Sequence, residues 1–119
     1  MKRVADADTD PWSYAAAASG IVNTTSAVAI KAAAAGKRNY ITDLQLSHAT
    51  LGAATEVAIR DGAGGAVLWR ATLGTVASEN FCVQLATPVF GSVNTLLEVV
   101  TLTAVTGGVY VNAQGFAAS

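Results

Sequence analysis

The fold is decided by the stretch TEVAIRDGAGGAVLWRATL, which spans residues 55–73. Apolar and polar residues alternate on both sides of its glycine-rich centre, and this period of two predicts two β-strands joined as a hairpin. The residues expected to face inward are Val57, Ile59, Val67, Trp69, Ala71 and Leu73. Because Trp69 alternates with apolar neighbours, it is expected to pack in the core and not to form a ligand platform.

The length of the connecting loop follows from which residues must share a face. Directly opposed residues of an antiparallel pair point to the same side, so keeping both apolar sets together requires an odd number of loop residues. A three-residue loop, Gly62-Ala63-Gly64, satisfies this requirement, and its last glycine supplies a left-handed conformation. The same loop opposes Ile59 to Val67, Val57 to Trp69, and Glu56 to Arg70, the last as an exposed ion pair.

The rest of residues 21–119 follows the same rule of short strands separated by Gly, Asn and Thr, which predicts one all-β domain, a sandwich or a barrel. Residues 21–31 read as edge strands, and residues 40–48 as a half-buried strand. In that strand Thr42, Leu44, Leu46 and His48 are expected on one face, and Asp43, Gln45 and Ser47 on the other.

The C-terminal third is interpreted as two more strands and a final hairpin. Residues 80–85 form a strand that ends in a loop through Thr87-Pro88, and residues 96–106 form a strand covered on both faces, with Glu98 as its one charge. Gly107-Gly108 is expected to form a two-residue primed turn into the last strand, residues 109–116. The outward residues of this hairpin are Val99, Thr101, Thr103, Tyr110, Asn112 and Gln114, a set without charge.

Residues 1–20 differ from this pattern and are expected to form an extended N-terminal arm. They carry Lys2, Arg3, three spaced aspartates and the Pro11-Trp12-Ser13-Tyr14 cluster, followed by four alanines that could form a short helical turn. Trp12 and Tyr14 have two interpretations. They anchor the arm in a groove of the same or a neighbouring chain, or they pack on the domain to which they belong.

Composition excludes several classes of function. Net charge is −1 and charged residues make up 13% of the 119-residue chain, so neither nucleic acid nor a membrane surface is an expected partner. The apolar runs are too short for a membrane helix, and aspartates occupy the place of a signal-peptide core. A single cysteine, Cys82, fits folding in a reducing cytoplasm, where it is expected to be a small strand residue.

No motif for catalysis, metal or cofactor binding is complete. His48 is the one histidine, so a zinc site or a serine-type triad lacks partners, and a strand-end or core position is expected for it. The Asp6, Asp8 and Asp10 spacing opens like a calcium loop, but Pro11 stands where that loop requires glycine. The sequence therefore predicts a non-enzymatic protein with no cofactor.

Four segments together resemble small structural proteins of tailed bacteriophages. They are PWSY at 11–14, KRNYIT at 37–42, the hairpin from IRDG at 59–62 to LWR at 68–70, and VYVNAQGF at 109–116. The resemblance implies an antiparallel, jelly-roll-like β-sandwich that acts as a capsid decoration or cement protein in the virion, assembled in the host cytoplasm. The implied partners are the major capsid protein and other copies of the chain, which are expected to form a trimer.

The second function that the resemblance leaves open is a tail-fibre or tail-tip module that binds a host-surface glycan. The residues expected at the protein interface with the capsid or with other copies are Trp12, Tyr14, Tyr110, Asn112 and Gln114. Aromatic and uncharged polar side chains are chosen because interface cores are depleted in charge.

Overall fold

The computed structural model of the protein describes residues 9–76 and 80–119. These residues form two antiparallel sheets packed face to face, which confirms the all-β antiparallel sandwich. Their strands are β1 (Asp10–Tyr14), β2 (Val28–Lys31), β3 (Arg38–His48), β4 (Thr55–Asp61), β5 (Ala66–Leu73), β6 (Asn80–Phe90), β7 (Leu97–Thr101) and β8 (Val109–Ala118).

Each sheet contains four strands. Sheet A has the order β1-β8-β3-β6, and sheet B has the order β2-β7-β4-β5. Only β4 and β5 follow each other within one sheet; every other connection between consecutive strands passes from one sheet to the other. The edge strands are therefore β1 and β6 in sheet A, and β2 and β5 in sheet B.

The core lies between the sheets and is built from alternate residues of each strand. Its largest fully buried apolar side chains are Ile41, Leu44, Val57, Ile59, Leu73, Leu97, Val99 and Val109. In β3 the predicted inward positions Leu44, Leu46 and His48 are buried, as expected. Thr42 is different, because the register shifts between Ile41 and Asp43 and leaves Thr42 as the extra residue of a bulge.

The β4–β5 hairpin keeps Trp69, Ala71 and Leu73 on the inward face, as predicted, but the inward position predicted for Val67 is wrong, because Val67 opposes Arg60 and is exposed. The odd-length loop is wrong: Asp61 opposes Ala66, so the loop is the four residues 62–65. An extra residue, Leu68, forms a bulge in β5 and restores the parity, so that Ile59 opposes Trp69. An odd-length loop is required only when both strands are regular, and β5 is not regular.

Two further features of this hairpin are confirmed. Gly62 and Gly64 have φ values of 84° and 68°, the left-handed conformation expected of the loop. The ion pair forms as well, with the Arg70 guanidinium 2.9 Å from the Glu56 carboxylate and the Arg70 side chain 58% exposed, although Glu56 directly opposes Thr72 and not Arg70.

The predicted C-terminal hairpin is wrong, because β7 and β8 belong to different sheets. β7 ends at Thr101, and residues 102–108 cross to sheet A. Gly107 and Gly108 do not have the positive φ of a primed turn. A Cβ on Gly107 would lie 2.3 Å from the Thr50 carbonyl oxygen, and one on Gly108 would lie 2.6 Å from that of Ser19. These glycines permit close packing of three loops.

Two other elements differ from the predictions. Asp10–Tyr14, within the predicted arm, is strand β1 and pairs with β8, while residues 1–8 lie outside the described residues; the extended arm is not confirmed. The alanines at 15–18 form no helical turn.

The strand predicted at 80–85 continues as β6 to Phe90 through Pro88, which an edge strand tolerates because one side of its backbone needs no partner.

Replacing Trp69 with alanine is expected to lower the free energy of unfolding by about 2–3 kcal/mol, below the roughly 3–5 kcal/mol of a fully buried tryptophan. The indole is half-buried and packs against the core cluster from the edge strand β5. Urea unfolding of the two proteins measures the difference. A loss below about 0.5 kcal/mol, the usual range of surface substitutions, would contradict this packing role.

Candidate protein-interaction surface

The outer faces of the two sheets differ in charge. On sheet B four charged side chains face outward and form two ion pairs. The Arg60 Nε lies 2.6 Å from the Glu98 carboxylate, and Arg70 pairs with Glu56 at 2.9 Å. The four charges on this face are therefore already paired with each other within the chain.

The outer face of sheet A is organised in rows, because directly opposed residues share a face. From β6 through β3 to β8 the rows are Phe90-Tyr40-Phe116, Gln84-Asp43-Gln114, Cys82-Gln45-Asn112 and Asn80-Ser47-Tyr110. β1 adds Pro11 beside Phe116 and Ser13 beside Gln114. Including Arg38 at the start of β3, the described residues of this face hold only two charged side chains, Arg38 and Asp43.

Amide side chains occupy the middle of this face and are held by the protein itself. The Gln45 and Gln114 amides each donate to the other at 2.9 Å, which bridges β3 and β8. The Asn112 Oδ1 accepts a hydrogen bond from the Ala16 backbone N–H at 2.9 Å. These bonds fix the side chains, so a partner that binds here meets a preorganised surface.

One end of the face is an aromatic cluster, defined here as Tyr40, Phe90 and Phe116. The Tyr40 ring stacks on Phe116 with centroids 4.7 Å apart and lies 5.4 Å from the Phe90 ring. The Arg38 guanidinium lies 5.4 Å from the Phe90 centroid, a cation–π contact, and also donates to the Gly91 carbonyl oxygen at 3.1 Å. Phe90 is 48% exposed, so the cluster presents apolar area to a partner.

The predicted interface residues fall into two groups. Tyr110, Asn112 and Gln114 lie together on the outer face of sheet A, along β8. Trp12 and Tyr14 do not lie there. They oppose Gly115 and Ala113, share the inward face of those residues, and pack against the core cluster of their own domain.

The residues considered for chemistry lie apart from one another. His48 is buried at the end of β3, with Nδ1 2.7 Å from the Ala49 carbonyl oxygen, and Cys82 is exposed on β6. In residues 9–76 and 80–119 no three His, Cys, Asp or Glu side chains are grouped so as to hold a metal ion. Nor does this part of the chain contain a helix of the length and hydropathy needed to cross a bilayer.

One apolar cavity of about 50 Å³ lies between the sheets beneath the connection from β1 to β2. Its walls include Tyr14, Ile21, Val28, Val99 and Val111. Ligand pockets are usually several hundred Å³ and contain a few convergent polar groups. This cavity is a packing gap at the edge of the core and not a ligand site.

Comparison with known proteins indicates no function for the chain, so the surface of the protein is the guide to its function. No model of a protein family matches the sequence. No curated protein matches the chain at a significant level. The functional argument therefore depends on the geometry and charge of the two outer faces.

Proposed function

We propose that the chain is a non-enzymatic virion structural protein, a decoration or cement protein that binds the outer surface of a phage capsid and reinforces it. The observation that carries this proposal is the charge-poor outer face of sheet A. Cores of protein interfaces are depleted in charge and enriched in aromatic residues, as this face is. The outer face of sheet B instead carries two ion pairs, one buried and one exposed, whose charges are already paired within the chain.

The strand order supports assigning the sandwich to the jelly-roll type. Eight strands divide into two sheets of four, and the chain passes between the sheets at every connection except β4–β5. Double-sheet jelly rolls with eight strands occur among viral capsid proteins. The resemblance of four segments to small phage structural proteins supports the same assignment.

The proposed partners are the major capsid protein and other copies of the chain. A trimer on a symmetric junction of capsid proteins follows from the same logic, since closed symmetry covers sheet faces and edges together. The net charge of −1 supplies no general attraction to nucleic acid. The protein would function in the virion, after assembly in the host cytoplasm.

A tail-fibre or tail-tip module that binds a host-surface glycan is the second candidate, and one observation favours it. The aromatic cluster lies next to the Gln45–Gln114 amide pair on one flat face. Exposed rings that stack on apolar surfaces of a ligand and fixed amides that bond to hydroxyls form a surface compatible with sugars. Binding to whole bacteria in the absence of capsids would favour this candidate.

Binding to undecorated capsids tests the main proposal. The full chain is expected to saturate the capsids, and a double variant, Ser13→Lys with Ser47→Lys, to bind at least about 30-fold more weakly, equivalent to about 2 kcal/mol. Both serines lie on the outer face of sheet A, and each new ammonium group would have to be desolvated in the interface. Occupancy is measured by sedimentation of the mixed particles.

The matched control is Ala29→Lys with Thr72→Lys, which places the same two charges on exposed positions of sheet B. It is expected to bind like the unmodified chain. Failure of the full chain to bind capsids would contradict the proposed function. Equal weakening by both double variants would contradict the assignment of the binding face.

A further inference from the structure

Strand β6 forms an edge of sheet A, and from Phe81 to Gln84 no strand of the described residues lies on its outer side. The strand is eleven residues long, and β3 is its single neighbour in the sheet. An edge of this length presents a row of backbone N–H and C=O groups that can pair with another strand. Its regular part is residues 80–84, since the pairing with β3 becomes irregular beyond Gln84.

The other three edges carry features that discourage strand pairing. β1 has five residues, including Asp10 and Pro11; β2 has four, with a bulge and Lys31. β5 carries Arg70, and the bulge at Leu68 interrupts its edge. Charges, proline, short length and bulges are the usual protections of sheet edges. β6 also has an irregular register and a proline beyond Gln84, but its regular part contains neither a charge nor a proline.

Exposed apolar side chains concentrate on the same side of the sandwich. Within residues 9–76 and 80–119, six large hydrophobic residues are exposed, and five of them lie on β5, on β6 or in the connections next to them: Val67, Val76, Phe81, Phe90 and Val93. The remaining one is Leu102. An edge flanked by apolar surface gains from burial as well as from hydrogen bonds when another strand covers it.

We propose that β6 pairs antiparallel with β6 of a second copy of the chain, about a two-fold axis, through residues 81–84. A two-fold axis brings a surface against itself, so each charge on the strand would meet its like in the partner. β6 meets this condition because it has no charge. The pairing joins two copies of sheet A into one sheet of eight strands.

The register of this pairing is restricted by the faces of the side chains. Phe81 and Val83 oppose Leu46 and Leu44, so they face the core, while Cys82 and Gln84 face outward. Directly opposed residues must share a face, so Cys82 opposes either Cys82 or Gln84 of the second copy. A register that is shifted by one residue would place Phe81 and Val83 of one copy on the outer face of the joined sheet.

The inference does not rest on the proposed function, although it would enlarge the same surface. The outer faces of the two copies would become continuous across β6 and double the charge-poor area. The two-fold contact is also compatible with a trimer, since it can join two trimers through the edges of their sheets.

The mass of the free, full-length protein in solution tests the pairing. Analytical ultracentrifugation is expected to give an even number of chains, and Cys82→Lys or Cys82→Glu alone to halve the mass through like-charge repulsion. An equimolar mixture of the two variants is expected to restore it. The matched controls Thr72→Lys and Thr72→Glu, on the exposed edge of β5, are expected to keep the mass unchanged.

Disulfide formation tests the register independently. Mild oxidation is expected to link two unmodified chains through Cys82, or to link Cys82 to a cysteine introduced by Gln84→Cys. Thr72→Cys in a Cys82→Ser background is the control and is expected to stay unlinked. A monomer, an odd number of chains, or a mass that Cys82→Lys leaves unchanged while circular dichroism shows a folded protein would overturn the proposal.

Discussion

Replacing Gly115 with alanine is expected to destroy the native sandwich, with a loss of more than about 4 kcal/mol in the free energy of unfolding. A Cβ at this position would lie 1.8 Å from the carbonyl oxygen of Tyr40 and 2.8 Å from its carbonyl carbon. Both are backbone atoms of the neighbouring strand β3, so no side-chain rotation can relieve the overlap. Domains of this size are typically stable by about 5–15 kcal/mol, so the loss would leave little folded protein.

Far-UV circular dichroism and urea unfolding measure this effect, and Gly64→Ala is its matched control. Gly64 has a φ of 68°, and no atom lies within 4 Å of a Cβ built there. Its substitution is expected to cost about 1–2 kcal/mol, the strain of a left-handed alanine. Similar losses for the two variants would show that β3 and β8 can separate to admit the methyl group.

The strands that the sequence identified are those whose signal is local. Alternation alone places Leu44, Leu46 and His48 on the inward face of β3, and the glycine-rich loop alone marks the β4–β5 hairpin. What could not be predicted is which strand lies beside which. Gly107-Gly108 has the composition of a tight turn, but these glycines are required by the approach of loops that are distant in sequence.

The residues of the candidate surface also divide into those that a local pattern predicts and those that it does not. Alternation along β8 predicted that Tyr110, Asn112 and Gln114 share a face, and they do. The aromatic cluster was missed because its rings come from β3, β6 and β8 and meet only through the register of those strands. Trp12 and Tyr14 appeared separate from the domain because a five-residue edge strand containing proline carries no clear period of two.

Replacing Arg60 with alanine is expected to cost about 3–5 kcal/mol, because it removes the partner of a buried carboxylate. Glu98 lies on β7, and its side chain is 7% exposed. The Arg60 Nε donates to its Oε2 at 2.6 Å, and the Gly64 backbone N–H donates to the same atom at 3.1 Å. Without Arg60 that single backbone donor would face a full negative charge away from water.

Two further variants separate the loss of a buried pair from the loss of any surface ion pair. Arg70→Ala breaks the exposed pair with Glu56 and is expected to cost at most about 1 kcal/mol, as exposed pairs usually do. Arg60→Met combined with Glu98→Leu removes both charges at once and is expected to recover most of the stability, since no buried charge then lacks a partner. If urea unfolding gave equal losses for Arg60→Ala and Arg70→Ala, water would have to reach Glu98 in the folded protein, and the loop at 62–65 would not shield this carboxylate.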